Sequence, residues 1–122
     1  MAELFKVMVH DPKDVTWKDD SFASGWTGTN VSISKDGDFI VITQNADPNG
    51  YIEKSGLSIN ASIYRYLVVC VRGDGNWSLT VYDGSWKIVQ SWTSVPTDYT
   101  IMIYDLNTIT TSIVTSIRLW VG

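Results

Sequence analysis

The sequence predicts an all-β domain, an antiparallel β-sandwich of the jelly-roll kind with about nine strands, and three observations carry that prediction. Apolar residues alternate in short runs. Gly, Asp, Asn and Pro interrupt those runs roughly every eight to twelve residues, and no longer stretch keeps a helical period. At 122 residues, 44% hydrophobic and 18% charged, the chain can enclose one core without metal or disulfide and is too apolar for disorder.

The first strand spans Leu4 to Val9. A polar stretch from His10 to Thr29 follows, read as a wrap around one end of the sandwich and anchored by Trp17, Phe22 and Trp26. Val31 to Ser34 and Phe39 to Thr43 flank Lys35-Asp36-Gly37-Asp38, whose Asp-Gly step suits a tight hairpin turn. Asp47-Pro48-Asn49-Gly50 predicts a second turn, because Pro fixes φ and Gly adopts conformations other residues avoid. Tyr51 to Lys54 is a short strand.

Tyr64 to Arg72 is apolar on both alternating faces, as expected of a central strand covered on both sides or facing a ligand. It ends at Gly73-Asp74-Gly75-Asn76. Trp77 to Tyr82 and Trp86 to Trp92 meet at Asp83-Gly84-Ser85. Tyr99 to Leu106 and Ser116 to Val121 complete the set, with Thr108 to Thr115 read as a loop.

Strand alternation also assigns faces. Ile117, Leu119 and Val121 form a core face, leaving Arg118 and Trp120 on the other. Trp77, Leu79 and Val81 form a second core face, turning Tyr82 outward. Leu67, Val69 and Val71 form a third, opposite Tyr66, Val68, Cys70 and Arg72. In Trp86 to Trp92, placing Val89 in the core puts Trp86, Ile88, Gln90 and Trp92 outside together. Six Trp and six Tyr exceed what packing a domain of this size requires, and a contiguous exposed aromatic patch marks a binding site.

Sugar rings suit such a patch. Their apolar C–H faces stack on Trp and Tyr, and their hydroxyls bond to Arg, Asn, Gln and Asp. The sequence resembles carbohydrate-binding modules with a galactose-binding-like jelly roll. The resemblance lies in Ser24-Gly25-Trp26-Thr27-Gly28, Tyr66-Leu67-Val68-Val69-Cys70-Val71-Arg72, Val81-Tyr82-Asp83, Tyr104-Asp105-Leu106 and Ile117-Arg118-Leu119-Trp120. It implies a non-catalytic domain that holds an appended glycoside hydrolase or polysaccharide lyase near its polymer, outside the cell.

The expected ligand-binding residues are Trp77, Tyr82, Trp86, Trp92 and Trp120 as stackers and Arg72, Gln90 and Arg118 as polar partners. For Trp17, Trp26 and Trp77 a core position is favoured over a ligand platform. The expected ligand is a β-glucan, cellulose or xylan type of polysaccharide, bound by a monomer. The resemblance also admits a structural calcium, with Asp19 and Asp20 as candidate ligands, although no EF-hand spacing is present.

Other classes fit less well. Nucleic acid is disfavoured by a net charge of -4 and the absence of any basic run. No run is long and apolar enough for a membrane helix. The opening Met1-Ala2-Glu3 lacks the segments of a signal peptide, so the chain is expected to be a domain taken from a larger protein. His10 is the sole histidine, and no nucleophile elbow or metal-ligand spacing accompanies it, so catalysis is not expected. Asp74, Asp83 and Asp105 sit where turns favour Asp anyway. Cys70 is the single cysteine, which precludes an internal disulfide. The alternative from another class is a structural or interaction sandwich of a surface or viral assembly, its aromatics packed on a protein neighbour.

Overall fold

The computed structural model describes residues 2–10, 17–18, 25–36, 39–45 and 49–122, with side chains for 25–34, 40–45 and 49–122. The expected strands appear as β1 (Ala2–His10), β4 (Val31–Asp36), β5 (Phe39–Gln44), β6 (Gly50–Lys54), β8 (Tyr66–Arg72), β9 (Asn76–Tyr82), β10 (Trp86–Ser94), β11 (Thr100–Asp105) and β13 (Ser116–Val121). Four short strands join them: β2 (Trp17–Lys18), β3 (Thr27–Thr29), β7 (Ile59–Asn60) and β12 (Ile113–Val114). Among the described residues one 3-10 turn, Leu106–Thr108, is present, directly after β11.

Two antiparallel sheets result. One has the order β11-β8-β1-β5-β4, with β2 also paired to β1, and the other has the order β10-β9-β13-β6-β3. Among the described residues they hold eleven strands rather than about nine. The two extra members, β2 and β3, lie in the polar stretch read as a wrap; at two and three residues they are too short for alternation to reveal. β7 and β12 form a separate two-stranded ladder.

The inner faces of both sheets contribute to one buried cluster. Ile42, Leu67, Val69 and Val71 come from the first sheet, and Ile52, Leu79, Val81 and Leu119 from the second. Each is removed from water, worth about 1.5–3 kcal/mol per side chain as an upper figure. The core faces expected for β8, β9 and β13 are therefore present.

Trp77, expected also as a ligand stacker, is corrected to the core: it is 0% exposed. It shares its face with Leu79 and Val81, and its ring meets Tyr104 of the opposite sheet edge-on at a centroid distance of 6.4 Å. The largest apolar side chain on a buried face belongs inside, because its exposure would forfeit the largest burial term.

The hairpin between β4 and β5 is present, with Asp36 opposite Phe39; the connecting residues 37–38 lie outside the described residues. Asn30 joins β3 of one sheet to β4 of the other at φ 57°, the one non-glycine residue with positive φ among those described. Asn tolerates that left-handed conformation. Gly50 differs from its expectation. It opens β6 without a positive φ, and a Cβ there would lie 2.5 Å from Val31 Cγ1 and 2.8 Å from two backbone carbonyls. Close approach of residues 29–31, where β3 passes into β4, rather than turn geometry, crowds any side chain placed there.

Trp26 packs partly buried against the core. The side chains of Trp17 and Phe22, and the proposed calcium ligands Asp19 and Asp20, lie outside the described residues. Among the described residues no group of three or more His, Cys, Asp or Glu could hold a metal ion, and no helix is long and apolar enough to cross a membrane.

Candidate functional site

The outer face of the second sheet carries an open groove of about 710 Å³. Its walls are the indoles of Trp86 and Trp92 from β10 and Trp120 from β13. Ser78 and Thr80 of β9 form its floor, with Arg118 at one side and Ser91, Ile88 and Asn49 around it. Trp86 is 40% and Trp92 49% exposed, so both indoles are open in part to solvent.

Each side chain is held by its strand partner. Trp120 donates its Nε1–H to Thr80 Oγ1 at 3.1 Å and packs against Tyr51 of β6, centroids 4.5 Å apart and tilted by 46°. Trp86 packs against Tyr82 across the β9–β10 hairpin at 5.1 Å. Arg118 donates its Nε–H to Glu53 Oε1. Its guanidinium carbon lies 4.2 Å from the centre of the Trp86 ring and 4.4 Å from that of Tyr51, within cation–π range. Two charges and four rings thus fix one another on a single face.

Trp92 reaches the groove through an irregularity. β10 pairs with β9 at Ile88↔Thr80, then Gln90↔Leu79, then Thr93↔Trp77. One extra residue enters β10 at each step, so the strand carries two β-bulges. At the second, Ser91 and Trp92 stand opposite the single residue Ser78, and both line the groove. The buried Ser78 hydroxyl donates to the Gln90 carbonyl at 2.9 Å, satisfying a group that the broken ladder would leave without its usual partner.

The bulges also correct the expected face of Gln90. It pairs with core-facing Leu79, and its side chain accepts from the Tyr104 hydroxyl at 3.0 Å while donating to the Ser91 carbonyl at 3.0 Å. Gln90 is therefore a strut between the sheets and not a lining residue. Burial of Tyr104 pushes its phenol up to about 12.

Of the residues expected to bind ligand, Trp86, Trp92, Trp120 and Arg118 are brought together in the groove, and Tyr82 stands behind Trp86. Arg72 is not among them. It ends β8 in the other sheet, its guanidinium 4.5 Å from the centre of the Tyr99 ring. Sequence reasoning missed Tyr51, Glu53, Ser78 and Thr80. The outward parity of Ser78 and Thr80 was legible, but small hydroxyl residues on an outer face carry no signal until the indoles above them are placed.

The turn beside the groove is braced separately. Asp83 accepts from Thr110 Oγ1 at 2.5 Å and from Lys87 Nζ at 2.9 Å, and these bonds, Thr110 first, hold its carboxyl down at about 2. Asp105 accepts from Arg65 at 2.7 Å, which lowers its titration as well. Both carboxylates are committed to structural partners.

The fold and groove define a two-sheet all-β protein with an aromatic outer face. In comparison with known proteins, no family model matches the chain, and no curated protein or solved structure matches it either.

Proposed function

We propose that the chain is a non-catalytic polysaccharide-binding module of the jelly-roll, carbohydrate-binding kind, whose groove seats a β-glucan, cellulose or xylan type of chain. The observation that carries this reading is the convergence of Trp86, Trp92 and Trp120 over a floor of Ser and Thr hydroxyls. Sugar C–H faces stack on the indoles, and the hydroxyls of Ser91, the amide of Asn49 and the guanidinium of Arg118 supply polar contacts. In a secreted parent enzyme such a domain would keep a hydrolase or lyase near its substrate.

Affinity electrophoresis through gels of soluble β-glucan, xylan, mannan and polygalacturonate, with pull-down on insoluble cellulose, tests the proposal. Retardation by at least one polysaccharide that falls at least tenfold in Trp92→Ala and Trp120→Ala supports it. A folded protein that ignores every polymer overturns it.

A second reading rests on β11. This edge strand exposes Ile101 at 66% and Ile103 at 64%, and an apolar edge is a template for pairing with another chain. An interaction domain would self-associate through β11, and Ile101→Lys would abolish that association in analytical ultracentrifugation while leaving thermal unfolding of the monomer unchanged.

A further inference from the structure

Among the described residues the groove lining carries a single formal charge, that of Arg118, and that charge already has a partner. Arg118 stands directly opposite Glu53 in the β13–β6 register and donates its Nε–H to the Glu53 carboxylate. The two side chains are 24% and 25% exposed, so solvent screens their attraction less than it would a surface pair. Glu53 itself stays outside the lining.

We infer that Glu53 is a specificity-determining residue: by neutralising Arg118 it tunes the groove to uncharged glycan chains and against chains that carry uronate. The inference rests on the reading of the groove as a glycan site. A free guanidinium on an aromatic bed is a strong receptor for a carboxylate, because its donors match the two oxygens of a planar anion. Here the Nε edge is taken by Glu53, whose negative charge stands next to any incoming carboxylate, and the chain as a whole carries -4. An uncharged sugar meets neither obstacle. Its hydroxyls accept from the Nη donors of Arg118, which make no hydrogen bond among the described residues, and its ring stacks on the indoles alongside.

Glu53→Gln preserves the shape of the side chain and removes the charge. Asp98→Asn, in the exposed connection between β10 and β11, removes one negative charge outside the pair and the groove lining and serves as the control for net charge. Isothermal titration would compare the native chain and both variants against soluble β-glucan, xylan and polygalacturonate at low and high salt, with thermal unfolding as the check on folding and Glu53→Ala as the replacement if the Gln variant fails it.

The expected result is that the native chain prefers an uncharged polymer by at least tenfold. Glu53→Gln should raise the ratio of polygalacturonate to uncharged-polymer association constants at least tenfold, through binding that fades at high salt, while Asp98→Asn leaves the ratio within twofold. A native chain that prefers polygalacturonate overturns the inference and leaves the glycan reading standing. A Glu53 variant no different from Asp98→Asn does the same. A native chain that binds no polymer overturns the glycan reading, and the inference falls with it.

Discussion

The Ser78 hydroxyl and the Gln90 carbonyl meet at 2.9 Å where two residues of β10 crowd against one of β9, and this bond fixes the place where Trp92 leaves the ladder. Ser78→Ala removes the donor and leaves a partly buried carbonyl without it. The variant should lose about 1–2 kcal/mol in urea denaturation and, under the glycan proposal, bind polymer several-fold more weakly, because Trp92 is no longer held in one position.

Tyr104→Phe removes the hydroxyl that holds Gln90 from the opposite sheet and should cost about 1 kcal/mol. It also carries an alkaline signature. The phenol titrates at about 12 in the fold and near 10 when unfolded, so the unfolded chain releases its proton first and stability falls as pH rises from about 10 to 12. Denaturation curves across that range should be flatter for the Phe variant than for the native chain.

Trp77 and Trp120 belong to alternating faces of neighbouring strands, and their truncations should separate cleanly. Trp77→Ala empties a fully buried site and should cost about 3–5 kcal/mol, read as a large fall in the denaturation midpoint. Trp120→Ala should cost less stability, since its ring is only partly buried, and under the glycan proposal should weaken polysaccharide retardation at least tenfold.

At the other end of the pH range Asp83 contributes. Its carboxyl titrates at about 2 in the fold against about 3.9 unfolded. The stabilisation is complete above the unfolded value and is lost as pH falls from about 4 to 2. Asp83→Asn should remove that acid-dependent segment of the stability profile and lower stability at neutral pH, where the charged bonds to Thr110 and Lys87 are missing.

Gly50→Ala inserts a methyl group against Val31 Cγ1 and two carbonyls. Overpacking of this kind costs about 1–3 kcal/mol, so the midpoint of urea unfolding should drop although the residue is conformationally better suited to a strand.

Much of the fold was legible because β8, β9 and β13 alternate without interruption: Leu67, Leu79 and Leu119 fall on core faces by parity alone. The site was legible only in part, for a related reason. Parity put Arg118 and Trp120 outside correctly, since β13 is regular. In β10 the same rule grouped Gln90 with Trp86 and Trp92, and the two bulges broke that grouping; a bulge is set by partner register, which one strand's sequence does not encode. Arg72 looked like a site residue from its strand end, but the sheet to which its strand belongs is decided by pairings with β1 and β11. Glu53 became visible only once β6 and β13 were in register.

The paired bulges of β10 allow that strand to change length only in steps of two. A loss or gain of one residue between Ile88 and Thr93 would rotate everything beyond it by half a turn, burying one indole or the other. A loss of two would leave both pointing to solvent, as an unbroken strand of that length also would. Homologous strands that keep an outward Trp at both ends should therefore differ in length by even numbers, and odd-numbered insertions there should coincide with a rebuilt or abandoned groove.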